Sequence, residues 1–317
     1  IILNNHCTFF NKKNRNLYFL FSFFRFIKNN IKKINPDIIH LHSSFAGFIV
    51  RVFYLFSWNR PKIIYCSHGW SFLMDINIIK KIMFFVIEWV LSIKTDAILN
   101  ISNYEYKESI RVGIPKKKSI IIKNAICPNV KKINQESLKY QENKYNFLFV
   151  GRHNNAKGYK EIIEFFIKNN QDILHVVGDF HKLKNLKKYK NIFFYGWIDN
   201  DKIHNYYSKA DIVIVPSRWE AFGLVPLEAM KYSKPLIVSN RGALKEFIKE
   251  NRNGYIFNFN DFENSLKEKI KKIKNKNLIT MGNESKLIFK QKSNLKNHIK
   301  KVIILYNNLI NHSYHGK

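Results

Sequence analysis

The chain is expected to fold as an α/β protein with two doubly wound domains in tandem, each a parallel sheet covered by helices. Three observations lead there. Short apolar runs alternate with stretches of helical period through most of the sequence, the pattern of strands joined by crossover helices. The runs are apolar at successive rather than alternate positions, so the strands are buried on both faces, as parallel strands are. And 317 residues suffice for two domains of roughly 150 residues each.

Taken in order, strands are expected at 37–42 (DIIHLH), 62–67 (KIIYCS), 96–102 (DAILNIS) and 119–126 (SIIIKNAI). Helical stretches lie between them, and LYFLFSFFRFIKNNIKKI precedes the first. Residues 128–144 are polar and hold no apolar run, so they read as a linker after a first domain spanning 1–127. A second strand set follows at 146–151, 173–179, 191–197, 211–217, 235–240 and 254–258. It belongs to a second domain at 145–290, and the closing helix, 291–317, is expected to return to the first domain.

Composition narrows the function. Hydrophobic residues make up 46% of the chain, which excludes wholesale disorder. Cys7, Cys66 and Cys127, odd in number and far apart, cannot build a disulfide framework or a four-thiolate zinc site, which fits a reducing cytoplasm. No apolar run reaches the ~18 residues of a spanning helix; Arg25 and Glu88 interrupt the nearest candidates. The net charge of +31 favours polyanions. Lys, Asn and Ile are abundant throughout, as in coding sequences biased toward A and T, so compositional drift accounts for the charge first; an anionic membrane surface is the next candidate and, with no recognised motif, nucleic acid is not expected. Phe19, Phe21, Phe23, Phe24 and Phe26 on the first helix would suit peripheral docking on the inner face of the cytoplasmic membrane, or else core packing.

Two segments carry chemistry. In NFLFVGRHNNAKGYKEIIEFF a buried strand ends at Gly151, and Arg152 and Lys157 sit on the loop before a helix, where open α/β sheets bind ligands. Two cations beside helix amides suit a phosphate. In DIVIVPSRWEAFGLVPLEAM a strand end is followed by Glu220, then Phe222-Gly223-Leu224 opens a helix bearing Glu228. Two carboxylates around an anion-accepting helix start fit a ligand that also carries hydroxyls, as a nucleotide sugar does. The eleven histidines show no ligand-spaced group, His40 and His42 read as structural, and Asp199-Asn200-Asp201 reads as an acidic helix start; no metal site is expected.

Together these segments resemble the retaining glycosyltransferases of family 4, whose GT-B architecture sets two Rossmann-like domains face to face. The E-x7-E element is Glu220 to Glu228, the G-R-x4-K-G element is Gly151, Arg152, Lys157 and Gly158, and G-x3-E-x7-G is Gly242, Glu246 and Gly254. PDIIHLHSSFAGFIVR and IIYCSHGWSF are similar to first-domain signatures of capsule, O-antigen and exopolysaccharide members. The resemblance implies that Arg152 and Lys157 grip the donor diphosphate and stabilise the leaving group. It implies that Glu228 takes the ribose hydroxyls and Glu220 the sugar hydroxyls, with backbone at Phe222, Gly223 and Leu224 completing the pocket. Trp197 would line the base site, and His68 would face the sugar from the first domain. It further implies a nucleotide-sugar co-substrate, uridine- rather than guanosine-based, no metal or other cofactor, and a lipid-linked or oligosaccharide acceptor. Retention would proceed by same-face attack without a dedicated base.

Three departures stand out. The usual N-G turn late in the first domain is Asn124-Ala125, and the usual G-x-G after ILHVV is Gly178-Asp179-Phe180. Members also carry a longer stretch ahead of the P-D-I-I-H strand, here at Pro36, with a first strand and a glycine loop. A first domain short of its initial strand would transfer sugar poorly. A sugar-nucleotide epimerase and a non-catalytic relic are the rival expectations.

Overall fold

The computed structural model describes residues 17–57, 59–129, 140–179 and 189–314. Helix α1 (Leu17–Ile34) leads into β1 (Ile38–His42), α2 (Ser44–Tyr54), β2 (Lys62–Cys66), α3 (Ile78–Ser92), β3 (Ala97–Asn100), α4 (Asn103–Arg111) and β4 (Ser119–Ile121). The four strands lie parallel in the order β1-β2-β3-β4. Then come β5 (Asn146–Val150), α5 (Tyr159–Lys168), β6 (Ile173–Val177), β7 (Ile192–Phe194), α6 (Ile203–Lys209), β8 (Ile212–Val215), α7 (Leu224–Lys231), β9 (Leu236–Ser239) and β10 (Gly254–Phe257). These strands form a second parallel sheet in the order β10-β9-β8-β5-β6-β7. Helices α8 (Phe262–Lys274), α9 (Leu278–Lys292) and α10 (Leu295–Tyr314) close the chain.

Burial on both faces explains the uninterrupted apolar strands. In β2, Ile63 and Tyr65 face one layer with Leu41, Val50 and Trp70, while Ile64 and Cys66 face the other. That second layer is common to both sheets: Ile64 and Leu99 belong to the same apolar cluster as Leu148, Val213, Leu236 and Leu305 of α10. Polar contacts bring the tail back to the first sheet, with Tyr306 Oη 2.7 Å from His40 Nδ1 and His298 Nδ1 2.9 Å from the Lys123 carbonyl.

Some expected elements are shorter. The run at 119–126 yields only three strand residues, because β4 pairs with β3 alone and the chain then changes partner: the Ile126 amide donates to Ser293 Oγ at 3.0 Å. After β7, Gly196 takes a positive φ of 72° and its carbonyl accepts from the Gly178 amide. Most of the linker, residues 130–139, lies outside the described residues, as do Cys7 and Phe180. Asp199 and Asp201 do not cap α6: Lys202 precedes that helix, no side chain caps it, and its free Ile203 amide goes to the Asp199 backbone carbonyl.

Glu88 interrupts an apolar helix because it has a buried task. Its Oε2 accepts from Arg51 at 2.7 Å and its Oε1 from the Tyr65 hydroxyl at 2.9 Å, with the Arg51 guanidinium 3.6 Å over the Tyr65 ring. In α1, Phe23 stacks on Phe45 and Phe24 meets Phe53 edge to face, so two of the proposed docking phenylalanines hold α1 to α2; Phe21 is exposed, and the Phe19 side chain lies outside the described residues. Apolar exposure concentrates instead on α3, where Ile79, Ile82, Met83, Val86 and Trp89 face outward at helical spacing. Among the described residues no helix is long and apolar enough to cross a membrane.

Candidate active site

Strands β5 and β8 are neighbours, so the loops that leave their carboxyl ends emerge side by side. The Arg218 amide donates to the Ala156 carbonyl at 2.9 Å and ties the two loops together. Gly158 ends the first with φ +66°, and a Cβ there would sit 1.9 Å from the Pro216 carbonyl oxygen, so only glycine allows this approach. The result is a direct pair: Lys157 Nζ lies 2.6 Å from Glu220 Oε2, both partly buried, with Ser217 Oγ at 3.4 Å from the same oxygen.

Gly242 completes the placement of Glu220. Its φ is +56° and a Cβ would fall 2.1 Å from the Glu220 carbonyl oxygen, which accepts from the Ala243 amide at 2.9 Å. Glu246, on the same turn, reaches the first domain: one carboxylate oxygen accepts from the Tyr104 amide at 2.8 Å and the other from Lys123 Nζ at 3.1 Å. Gly254, the last motif glycine, lies where a Cβ would meet the Leu236 carbonyl at 2.1 Å. The motif therefore braces Glu220 and ties the two domains together.

From the other side, β2 runs into Ser67-His68-Gly69-Trp70. Glu105 holds this loop from beneath, accepting from the Ile101 amide and from Ser67 Oγ, while Trp70 Nε1 donates to Asn100 Oδ1 at 3.1 Å. His68 is exposed and has a left-handed φ of 53°. A Cβ on Gly69 would stand 3.4 Å from Ala221 Cβ, so the two domains nearly touch here. They enclose a cavity of about 240 Å³ lined by His68, Arg152, Lys157 and Glu220, with Asn154, Trp219 and Tyr104 among the other walls. A second hollow of about 540 Å³ shares Tyr104 and Trp219 and runs toward Lys81, Arg218 and Arg241. Arg218 there is already paired with Glu161 and with Asp75 of the first domain. A larger hollow of about 670 Å³, between Lys28, Lys32 and Arg60, lies at the amino ends of β1 and β2, the wrong end of a parallel sheet for a substrate; Arg60 is committed to Asp96.

The expected residues thus divide. His68, Arg152, Lys157 and Glu220 converge, and Gly151, whose amide bonds the Val177 carbonyl, begins the loop that carries two of them. Glu228 does not line the cavity: its Oε2 accepts from the Tyr207 hydroxyl at 2.6 Å, and burial pushes its carboxyl above the usual range against that bond. The Phe222 ring packs on Phe247 in the core, leaving only its backbone near the helix start at Gly223 and Leu224. Trp197 is 64% exposed and stands apart from the cavity. Asn154, Tyr104 and Trp219 escape sequence reading; Trp219 adjoins Glu220, and Asn154 accepts from the Lys157 amide as the cap of its turn.

The histidines require a correction. His42, Cys66 and His68 do form a group: their ligand atoms lie within 4.8 Å of one another. Register brings it about, since His42 is the β1 residue opposite Cys66 in β2. The His40 and His42 rings lie 4.2 Å apart, tilted to one another, and His42 Nδ1 is 2.7 Å from His68 Nε2. Partial desolvation among the neighbouring rings holds all three imidazoles below their usual range, His40 down to about 4, and burial pushes the Cys66 thiol up to about 12.

Comparison with known proteins agrees with this geometry. The family described as Glycosyl transferases group 1 matches residues 130–301, and Glycosyltransferase Family 4 matches residues 3–130. An uncharacterised 41.2 kDa protein of the cps region of Klebsiella pneumoniae is 36% identical over 88% of this chain and 80% of its own length. The O-antigen biosynthesis glycosyltransferase WbnH of Escherichia coli is 32% identical over 71% of this chain and 64% of its own. An E. coli UDP-Gal:α-D-GlcNAc-diphosphoundecaprenol α-1,3-galactosyltransferase is 24% identical over 88% and 77%. Among solved structures, sucrose-phosphate synthase from Thermosynechococcus elongatus superposes with a TM-score of 0.81 at 20% identity, covering 93% of this chain and 79% of that one. Anabaena Alr3699/HepE, in complex with UDP and glucose, gives 0.73 at 15% identity over 92% and 82%. Two facing parallel sheets with a cleft at their carboxyl ends are the GT-B fold, and the chain belongs to the glycosyl transferases of group 1.

Proposed function

We propose that the chain transfers a sugar from a uridine diphosphate donor to a lipid-linked glycan in cell-surface polysaccharide synthesis, with retention of configuration and without a metal. The observation that carries this reading is the convergence of Arg152, Lys157 and Glu220 from one domain and His68 from the other on a single cavity. Arg152 and Lys157 would hold the β-phosphate, and Glu220, already bonded to Lys157, would take sugar hydroxyls. As the bond from the anomeric carbon to the phosphate oxygen breaks, negative charge collects on the leaving diphosphate, where two cations stabilise it. The acceptor oxygen bonds to the anomeric carbon from the same face, and its proton passes to the departing phosphate oxygen. Glu228 would orient the ribose from its seat against Tyr207.

The acceptor side has its own support. The 540 Å³ hollow carries Lys81 and Arg241 and leads from the cavity toward α3. The outward Ile79, Ile82, Val86 and Trp89 of that helix, with Lys80 and Lys81 beside them, fit an anionic bilayer in which a lipid-linked diphosphate is anchored. The relatives named for O-antigen synthesis and for a diphosphoundecaprenol acceptor support the same substrate class. The test is product analysis with UDP-sugars and a polyprenyl-diphosphate-linked sugar. Transfer with the anomeric configuration of the donor, unaffected by EDTA, is expected. Epimerisation of UDP-GlcNAc without acceptor, or inversion at the anomeric carbon, would overturn the reading.

A further inference from the structure

We propose that His42, Cys66 and His68 bind one zinc ion at the cleft edge of the first domain, and that the bound ion withdraws His68 from the cavity and inhibits transfer. The strand register sets His42 beside Cys66 on one face of the sheet, and the left-handed backbone at His68 folds its ring back toward them. Three ligand atoms within 4.8 Å of one another match a tetrahedral ion with Zn–N of about 2.0–2.1 Å and Zn–S of about 2.3 Å, once the two imidazole nitrogens, 2.7 Å apart, part to admit it. One thiol with two neutral imidazoles selects zinc or cobalt over magnesium or calcium. Burial opposes ionisation of the Cys66 thiol and the His68 backbone amide, which bonds it, works the other way; the thiol proton leaves to solvent when the ion binds. The His40 ring lies against His42 and is itself held by Tyr306 of α10, so the ligand ring is backed by a fixed one.

His68 is the member shared with the donor cavity, and this is why occupancy should register in activity. Metal binding is independent of the transferase reading, because it is measured without donor or acceptor. The experiment is titration of the chelator-treated chain with Co²⁺ alone, followed by zinc competition. One equivalent of Co²⁺ should give a thiolate-to-cobalt charge-transfer band and intense tetrahedral d–d bands, both bleached by Zn²⁺. Cys66→Ala and His42→Ala should each weaken binding on the order of a hundredfold or more. Where transfer is assayed, micromolar Zn²⁺ should inhibit the parent chain reversibly and leave Cys66→Ala active. Absence of the charge-transfer band would overturn the site, and so would a band that persists in folded Cys66→Ala, since the thiolate would then be another cysteine. Stoichiometric zinc that leaves transfer unchanged would overturn the inhibition.

Discussion

Lys157→Ala separates a phosphate clamp from a loop strut. Without ligand, Lys157 is 2.6 Å from Glu220. At an effective dielectric of ~20, unit charges at that distance attract by about 6 kcal/mol before desolvation and side-chain entropy are set against it. Both side chains are partly buried but sit on loops at the rim of the cleft, where solvent still screens the pair, so the fold should lose far less than the gross figure. The site should notice the loss. A donor diphosphate approaching the mutant meets the Glu220 carboxylate with no neutralising cation, and the leaving group loses one of its two positive partners. Removal of one such contact costs ~2–4 kcal/mol in the transition state, about thirty- to a thousandfold in kcat/KM. Glu220→Gln, which frees Lys157, should leave donor affinity equal or tighter while turnover falls. Because the two residues act through one contact, Lys157→Ala/Glu220→Gln should fall short of the sum of the single losses by about 1 kcal/mol or more. Nucleoside diphosphate release gives the rates, calorimetry the donor affinity and a thermal melt the fold. A folded Lys157→Ala chain with kcat/KM within about threefold of the parent would refute the clamp.

Other perturbations address separate parts of the molecule. Glu88→Ala leaves Arg51 buried without its carboxylate and should cost about 3–5 kcal/mol, read as a fall in denaturation midpoint; Arg51→Met with Glu88→Met should recover much of it. Gly242→Ala forces a Cβ against the Glu220 carbonyl at a left-handed φ, so turnover should drop more than stability, as parallel melts and rates would show. Donor affinity should decline on the acid side, beginning above the ordinary glutamate range, because burial raises the Glu228 carboxyl and protonation removes its acceptor for ribose. A carboxyl raised by folding takes up its proton in the native state first, so this group favours the fold in that same window; loss of binding there is not unfolding, and Glu228→Gln should abolish the acid limb. Trp89→Ser with Ile82→Ser should reduce cosedimentation with anionic vesicles, and added salt should do likewise.

What the sequence discloses depends on the distance between partners. Both sheets were legible, since every residue of β3, β8 and β9 is buried and a strand buried on two faces has no polar alternation to hide. Lys157 and Glu220 were legible as motif members, yet not as a pair: 63 residues separate them, and only the adjacency of β5 and β8 joins their loops. Glu88 looked like an interruption because Arg51 is 37 positions away on another helix. The His42–Cys66–His68 group escaped for the same reason, as ligand spacing along one chain segment cannot register a parallel strand pair. The phenylalanines of α1 and the stripe of α3 show the converse case, where an amphipathic pattern exists in both and only packing against α2 decides which face is left outward.

The width of the cleft follows from contacts remote from its chemistry. A cavity walled by His68 on one domain and Lys157 on the other keeps its shape only if the domains keep their separation. Glu246 sets that separation through a backbone amide of α4 and through Lys123, from the same turn whose Gly242 braces Glu220. Any rotation of the first domain therefore pulls on the turn that positions a proposed sugar-contacting carboxylate. Ser293 at Ile126 and His298 at Lys123 add a second attachment, carried by the end of the chain, and Arg218 at Asp75 a third beside the 540 Å³ hollow. Three attachments spread around one cleft restrain rotation where a single one would serve as a pivot. The Glu246 attachment shares its turn with Ala243, whose amide bonds the Glu220 carbonyl, and Arg218 lies two residues before Glu220, so domain movement and the placement of that carboxylate are mechanically coupled.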